Sequence, residues 1–296
     1  MSQFEPERYI ELVDDLRSKY QSFPSTISIE TLSLCNAYCS FCPYSKLKRK
    51  GSRLPDAIIT KMINEVSSFP EDLELNIVLA RVNETFLDKR WYDISMKFYY
   101  AKKNIKFGFF SNGSTINLDV ISKLNSIPTV QYLNISLNYS STEDFEANTK
   151  LDFNRIVNNI DLLHKQKKEG HFDPQVVISR VGSNDAKDAK FVAYVENRYP
   201  LFNVKVAQQV DWLCDFPEKN GQGDYKNLPC RQWFHVHILS DGREAFCCID
   251  AEGQHCSGNI YKDTLLQMYN HPNKQKVRKT KSRQEIDLCR ECLMLP

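Results

Sequence analysis

Between residues 26 and 210 the chain alternates strand-like and helix-like stretches six times, and this rhythm restricts the fold more than any other feature. Strands are expected near 26–32, 73–80, 105–110, 130–137, 175–181 and 203–210, and helices near 55–68, 91–103, 117–126, 152–168 and 185–198. Strands that alternate with helices form βαβ units, so the sheet should be parallel, either as a curved sheet or as a partial barrel. Functional groups in such units gather at the C-terminal ends of the strands. An amphipathic helix is expected over 5–20, ended by a break at Pro24.

The rhythm stops at about residue 212. Gly221, Gly223 and Pro229 mark a loop, and stretches 234–239 and 244–248 flank Ser240-Asp241-Gly242 as a hairpin would. A short helix is expected over 263–270. Three regions follow from this: an N-terminal helical segment (1–24), a main domain (25–212) and a cysteine-rich tail (213–296) too small to bury much core. There is no internal repeat or low-complexity tract. Hydrophobic residues at 42% and charged residues at 26% are ordinary for a globular protein and argue against a disordered chain. A net charge of +2 gives no global pull towards nucleic acid or anionic lipid. The chain lacks an apolar run of about 18 residues, and its start lacks the basic-then-apolar order of a signal peptide. A cytoplasmic location without membrane contact is therefore expected. In a reducing compartment the ten cysteines, seven of them after residue 212, point to metal binding or catalysis rather than disulfides.

Cys35, Cys39 and Cys42 stand directly after the first strand with the spacing C-x3-C-x2-C. Three thiolates on one loop suit three corners of a [4Fe–4S] cube and leave the fourth iron open. Zinc usually takes four ligands and paired C-x2-C units, so it fits less well. The bland alternative is three cysteines buried in a core turn.

This loop resembles the hallmark of the radical S-adenosylmethionine (radical SAM) superfamily, C-x3-C-x-aromatic-C, with Phe41 at the aromatic position. The resemblance implies a partial (β/α)6 TIM barrel followed by a small cysteine-rich SPASM/twitch-like domain. It also implies that the three cysteines bind a cluster whose open iron is chelated by SAM, and that an electron from the cluster cleaves SAM to a 5′-deoxyadenosyl radical. After the second strand the family carries Gly-Gly-Glu-Pro, which meets the amino group of SAM. Here the segment reads Leu79-Ala-Arg-Val-Asn-Glu-Thr85: Glu84 matches the acid, while the glycines and the proline are missing. Phe110-Ser-Asn-Gly113 is similar to the family's Thr-Asn-Gly; Asn112 faces the SAM pocket or caps the next helix. In the fourth strand Ser136 and Asn138 share one face by alternation and are candidates for the ribose or carboxylate of SAM. At the end of the fifth strand, Arg180 pairs with SAM's carboxylate, contacts substrate as a catalytic group, or forms a surface salt bridge.

In the tail, Cys230-x11-Gly242-x4-Cys247 with the distal pair Cys289 and Cys292 resembles the SPASM/twitch extension, which binds auxiliary [4Fe–4S] clusters. Cys247 and Cys248 are neighbours on a strand, so only one should point inward; the Gly-x4-Cys count favours Cys247, while the Cys230-x17-Cys248 count is compatible with single-cluster twitch proteins. Only Cys256 lies between the halves, which suggests a single auxiliary cluster. Cys214 and Cys256 are left over and are read as buried thiols. A zinc ribbon is the rival for this tail. The basic runs 46–53 and 274–283 are read as solvated faces rather than a nucleic-acid surface, and His235 and His237 as packed or solvated strand residues.

The expected function is hydrogen abstraction from a small polar metabolite, such as a sugar or aminocyclitol alcohol, with the auxiliary cluster as electron acceptor. The single-cluster arrangement resembles the aminocyclitol dehydrogenase type. An electron donor such as flavodoxin or ferredoxin is implied. The alternative is modification of a ribosomally made peptide by crosslinking or epimerisation, with Cys214 or Cys256 as a hydrogen donor in the latter. About 25 residues precede the first strand, leaving no room there for a leader-binding domain, which weighs against the peptide reading. A third class is a non-catalytic iron–sulfur or zinc-binding interaction protein.

Overall fold

The computed structural model describes residues 5–210, 212, 227–290 and 292; Cys214, Gly221 and Gly223 lie outside them. The six expected strands are present as β1 (Thr26–Ile29), β2 (Leu75–Val78), β3 (Ile105–Ser111), β4 (Val130–Ser136), β5 (Gln175–Val181) and β6 (Asn203–Ala207). Each pairs in parallel with the next. The connecting helices are α2 (Asp56–Ser67), α3 (Trp91–Ala101), α4 (Leu118–Ser126), α6 (Phe153–Lys168) and α7 (Ala186–Arg198), preceded by α1 (Pro6–Lys19).

Alternation along the strands decides which residues meet the helices. Ile27, Ile29, Ile77, Phe109, Leu133, Ile135, Ile178, Val236 and Ile238 join one core with Met62, Phe98, Leu124, Ile160 and Val195 from the helices. The intervening Ser28, Asn76, Asn134, Ser179, His235 and His237 therefore face the other side of the sheet, the inner face of the partial barrel. That face mixes these polar groups with Val78, Phe110, Tyr132 and Val177, unlike the apolar filling of a closed barrel.

Two helices were not expected from the sequence. The helix α5 (Thr142–Thr149) buries only Phe145 and Thr149, so its apolar period is weak; Ser141 caps it by accepting from the Asp144 N–H. The helix α9 (Pro272–Lys279) is mostly basic and polar and starts with a proline in its first turn.

The tail does not stand apart from the main sheet. Its hairpin is β7 (His235–Ile238) and β8 (Glu244–Ala245), and β7 pairs in parallel with β1, giving the order β6-β5-β4-β3-β2-β1-β7-β8. Gly242 makes the turn with φ 86°, and a Cβ there would sit 2.3 Å from the Tyr261 ring. The short helix α8 (Leu265–Tyr269) packs into the main core, and the Tyr269 hydroxyl donates to the Tyr20 carbonyl at 2.6 Å. No helix among the described residues is long and apolar enough to cross a membrane.

The basic runs are not simply solvated faces. Arg49, Lys274, Arg278 and Arg283 are all buried. Lys274 pairs with buried Glu244, and Arg278 lies 3.8 Å over the Tyr269 ring while donating to the Tyr269 carbonyl. Long aliphatic stems let these residues pack as well as pair.

Arg49 makes a bidentate pair with fully buried Glu30, at 2.7 and 2.9 Å. Glu30 also accepts from the Ser240 hydroxyl at 2.9 Å and from the Val82 N–H at 3.4 Å. Removing one partner would strand a buried charge, at a cost of about 3–5 kcal/mol. Arg49→Leu is expected to lose that much in denaturant unfolding, and the Glu30→Leu/Arg49→Leu double variant to lose clearly less.

Candidate functional site

The chain leaves the sheet at Ile29 and opens into the loop that carries Cys35, Cys39 and Cys42. The loop is anchored to α5: the Tyr38 N–H donates to the Thr149 carbonyl at 2.8 Å and the Ser40 N–H to the Asn148 carbonyl at 3.1 Å. A tight turn brings the Cys42 N–H to the Cys39 carbonyl at 3.1 Å. Tyr44, Leu47, Val82 and Ala251 form a small apolar cluster against Cys35 and Cys42, so this loop packs on residues of the tail. Phe41 is half-buried, and its carbonyl accepts from the Trp212 indole at 3.1 Å.

The three thiols share one electrostatic environment. Burial pushes Cys35 and Cys39 up to about 12, and the nearby Cys42 sulfur pushes both further the same way. Such thiols stay protonated at neutral pH unless a metal supplies positive charge. A soft, mutually close donor set of this kind fits an iron–sulfur cluster. Among the described residues, no group of three or more His, Cys, Asp or Glu side chains is placed to hold a single metal ion.

Glu84 stands beside this loop and is almost fully buried. Its carboxylate accepts from the Ser111 hydroxyl at 2.9 Å and from the Asn112 N–H at 2.6 Å. Its own N–H donates to the Leu34 carbonyl at 2.8 Å. Burial raises the Glu84 carboxyl to about 7, against the opposing pull of those hydrogen bonds. The Asn112 side chain donates to the side-chain oxygen Oδ1 of Asn36 at 2.8 Å and lies 3.9 Å from the Cys35 sulfur. Asn112 does not cap the following helix; Asn117 does, accepting from the Val120 N–H at 2.9 Å. The structure thus gathers Cys35, Glu84 and Asn112.

Asn138 and Arg180 form a second group. Asn138 lies past the end of β4 with φ 64°, so strand alternation does not carry it onto the face of Ser136. Its side chain accepts from the Val181 N–H at 2.9 Å and donates to the Ser136 carbonyl at 3.1 Å, tying β4 to β5. Ser136 itself ends β4, half-buried, on the inner face. Arg180 is buried rather than at the surface: it pairs with Asp188 at 2.7 Å, donates to the Ser183 hydroxyl at 2.8 Å and donates to the Asn138 carbonyl. The Tyr139 ring lies 5.4 Å away. All three guanidinium nitrogens are thus engaged, and Arg180 holds the loop after β4.

In the tail, Cys230, Cys247, Cys289 and Cys292 line one hollow, together with Trp233, Phe246 and Arg283. Cys248 is not on its wall. Burial raises the Cys247 thiol well above the ordinary range and the Cys289 thiol to about 12. Cys256 is exposed, contrary to the buried thiol expected there.

Sequence reasoning passed over three arginines here. Arg283 was absorbed into a basic run although it lines the hollow. Arg49 was treated likewise. Arg81 carries no signal in the family pattern, since it precedes the positions that match Gly-Gly-Glu-Pro, 82–85. Its guanidinium donates to the carbonyls of Cys247 at 3.0 Å and Asp250 at 3.2 Å and contacts His237 Nδ1 at 2.9 Å.

Comparison with known proteins agrees with this geometry. Residues 230–293 match the SPASM family, an iron-sulfur cluster-binding domain. No match is found among curated protein sequences. The chain shares its fold with BtrN in complex with AdoMet and 2-DOIA (TM-score 0.61, 15% identity, 91% of this chain and 93% of that chain). It is similar to Streptococcus suis SuiB bound to S-adenosylmethionine (TM-score 0.62, 14% identity, 99% of this chain and 79% of that chain). It is also similar to anSMEcpe with bound AdoMet (TM-score 0.65, 15% identity, 90% of this chain and 88% of that chain). All three have S-adenosylmethionine (AdoMet) bound, and what this chain shares with them is the α/β fold.

Because Cys247 lines the hollow, Cys247→Ala is expected to lose the iron bound in the tail. Cys248→Ala should retain it, as read by iron content after anaerobic reconstitution.

Proposed function

We propose that this chain is a radical SAM enzyme that abstracts hydrogen from a small polar molecule and carries one auxiliary [4Fe–4S] cluster. The observation that supports this most is the grouping of Cys35, Glu84 and Asn112 at the C-terminal ends of β1, β2 and β3, with a four-cysteine hollow in the same sheet's extension. In this reading residues 25–212 form the catalytic domain and 213–296 the auxiliary-cluster domain. Cys35, Cys39 and Cys42 would hold the first cluster, and Cys230, Cys247, Cys289 and Cys292 the second. When bound, SAM and the two clusters would supply a 5′-deoxyadenosyl radical and an acceptor for the second electron.

The chain's own residues do the remaining work. Glu84, as a carboxylate, accepts from the ammonium of SAM in a charge-assisted hydrogen bond. Asn112 and Ser136 line the same pocket, and Phe41 backs the cysteine loop. Asn138 and Arg180 act as positioning residues that fix the loop after β4. Arg81 cannot accept a hydrogen bond, so its contact with His237 Nδ1 leaves the imidazole proton on Nε2. That Nε2 is buried with no hydrogen-bond partner among the described residues, and it would donate to an oxygen of the substrate. The polar groups of the inner face suit an alcohol or sugar-like molecule, and the apolar seal around the cysteine loop keeps water from the radical. A small electron-transfer protein such as flavodoxin or ferredoxin would deliver the reducing electron.

Peptide modification is the second reading, favoured by the likeness to SuiB bound to precursor peptide SuiA and to anSMEcpe with AdoMet and Cp18Cys peptide. A panel of polyols, sugars and short peptides separates the two, with 5′-deoxyadenosine release as the readout. Reconstituted protein is expected to bind about eight iron and eight sulfide, two cubes' worth, and to release 5′-deoxyadenosine with a polyol or sugar. Failure to make it with any reductant would sink the enzyme reading.

Glu84 gives a pH test. Its carboxyl sits near 7, so it is mostly protonated at lower pH, and SAM's ammonium requires the ionised form. SAM affinity should therefore rise about tenfold from about pH 6 to about pH 8, with proton release on binding at the acid end. Calorimetry in two buffers of different ionisation heat reads both, and Glu84→Gln should abolish the dependence.

A further inference from the structure

Arg81 is the first cation beyond β2, and it joins the two cysteine sites. Its strand end leads within three residues to Glu84, beside the first cysteine loop. Its guanidinium reaches the other way, to the carbonyls of Cys247 at 3.0 Å and Asp250 at 3.2 Å. The turn it grips is already rigid: the Asp250 carboxylate accepts from the N–H groups of Phe246 at 3.0 Å and Gln254 at 2.9 Å. The contact with His237 Nδ1 at 2.9 Å fixes the guanidinium from the sheet side. Hydrogen bonds to backbone carbonyls do not neutralise the guanidinium; it lies within electrostatic range of the sulfurs of Cys248 and Cys247, and of Glu30 and Arg49, which pair with each other.

We propose that Arg81 is a positioning residue for the auxiliary cluster: it clamps the Cys247 turn to the end of β2 and places a fixed positive charge beside the cluster. This rests on the reading that Cys230, Cys247, Cys289 and Cys292 hold that cluster. On accepting one electron the cluster becomes one unit more negative, and a fixed cation in a low-dielectric site favours that form. Arg81 therefore raises the reduction potential of the auxiliary cluster and makes it a better acceptor.

The test uses the full chain in a Cys35→Ala/Cys39→Ala/Cys42→Ala background, so that the auxiliary cluster alone contributes iron and signal. Midpoint potentials are read by electron paramagnetic resonance during titration with dithionite and ferricyanide. Arg81→Gln is expected to keep the cluster and shift its potential to more negative values, with Arg81→Lys returning it towards the parent. Loss of iron in Arg81→Gln with retention in Arg81→Lys would support the clamp directly. If both variants lose iron, the thermal melt decides: an unchanged melt supports the clamp, and a collapsed one makes Arg81 a general folding residue and overturns it. Full iron with the parental potential in Arg81→Gln overturns it as well. A parent that binds no iron shows instead that the reading of the hollow has failed, and the role of Arg81 falls with it.

Discussion

One carboxylate carries much of the architecture. Glu30 is wholly buried at the end of β1 and collects Arg49, Ser240 and the Val82 N–H around its two oxygens. Arg49 closes the far side of the cysteine loop, Ser240 begins the turn of the tail hairpin, and Val82 lies between Arg81 and Glu84. Three segments distant in sequence are thus fixed to one point by charge-assisted hydrogen bonds. A buried ion pair rarely adds net stability over an apolar substitute, but it specifies which loops meet. Both cysteine sites hang from this point, and so does the stretch of chain between them.

Much of the barrel was legible in the sequence because its strands bury alternate residues against helices. The strand expected over 175–181 is β5 as observed, and the helix expected over 152–168 differs from α6 by one residue. The strand expected over 26–32 ends early, because Glu30 turns inward to meet Arg49. Helix α5 was missed because it is held by a cap and two buried side chains rather than by an apolar stripe. The pairing of β7 with β1 was also not foreseen; hairpin signals are local, whereas a parallel partner far along the chain leaves no local trace.

For the site, the residues near the cysteine loop could be found from spacing, since Cys35, Glu84 and Asn112 each sit at a strand end. Arg180 and Asn138 were misjudged in detail. Strand alternation fails once the backbone turns left-handed, as it does at Asn138. A guanidinium's partners depend on tertiary contacts with Asp188 and Ser183 that no motif announces. Basic runs misled for the same reason: Arg283 and Lys274 read as solvated in composition, while their surroundings supply buried sulfur and carboxylate.

The parallel contact between β1 and β7 has a consequence for biosynthesis. The hydroxyl of Ser25, just before β1, donates to the carbonyl of Phe234, just before β7, across a separation of 209 residues. At about 5–20 residues per second, the ribosome delivers the last partner roughly 10–40 s after the first. Throughout that interval the β1 edge is an open template for unwanted strand addition. The nascent barrel must be shielded, by its own N-terminal segment or by a chaperone, until the final third of the chain arrives to seal it.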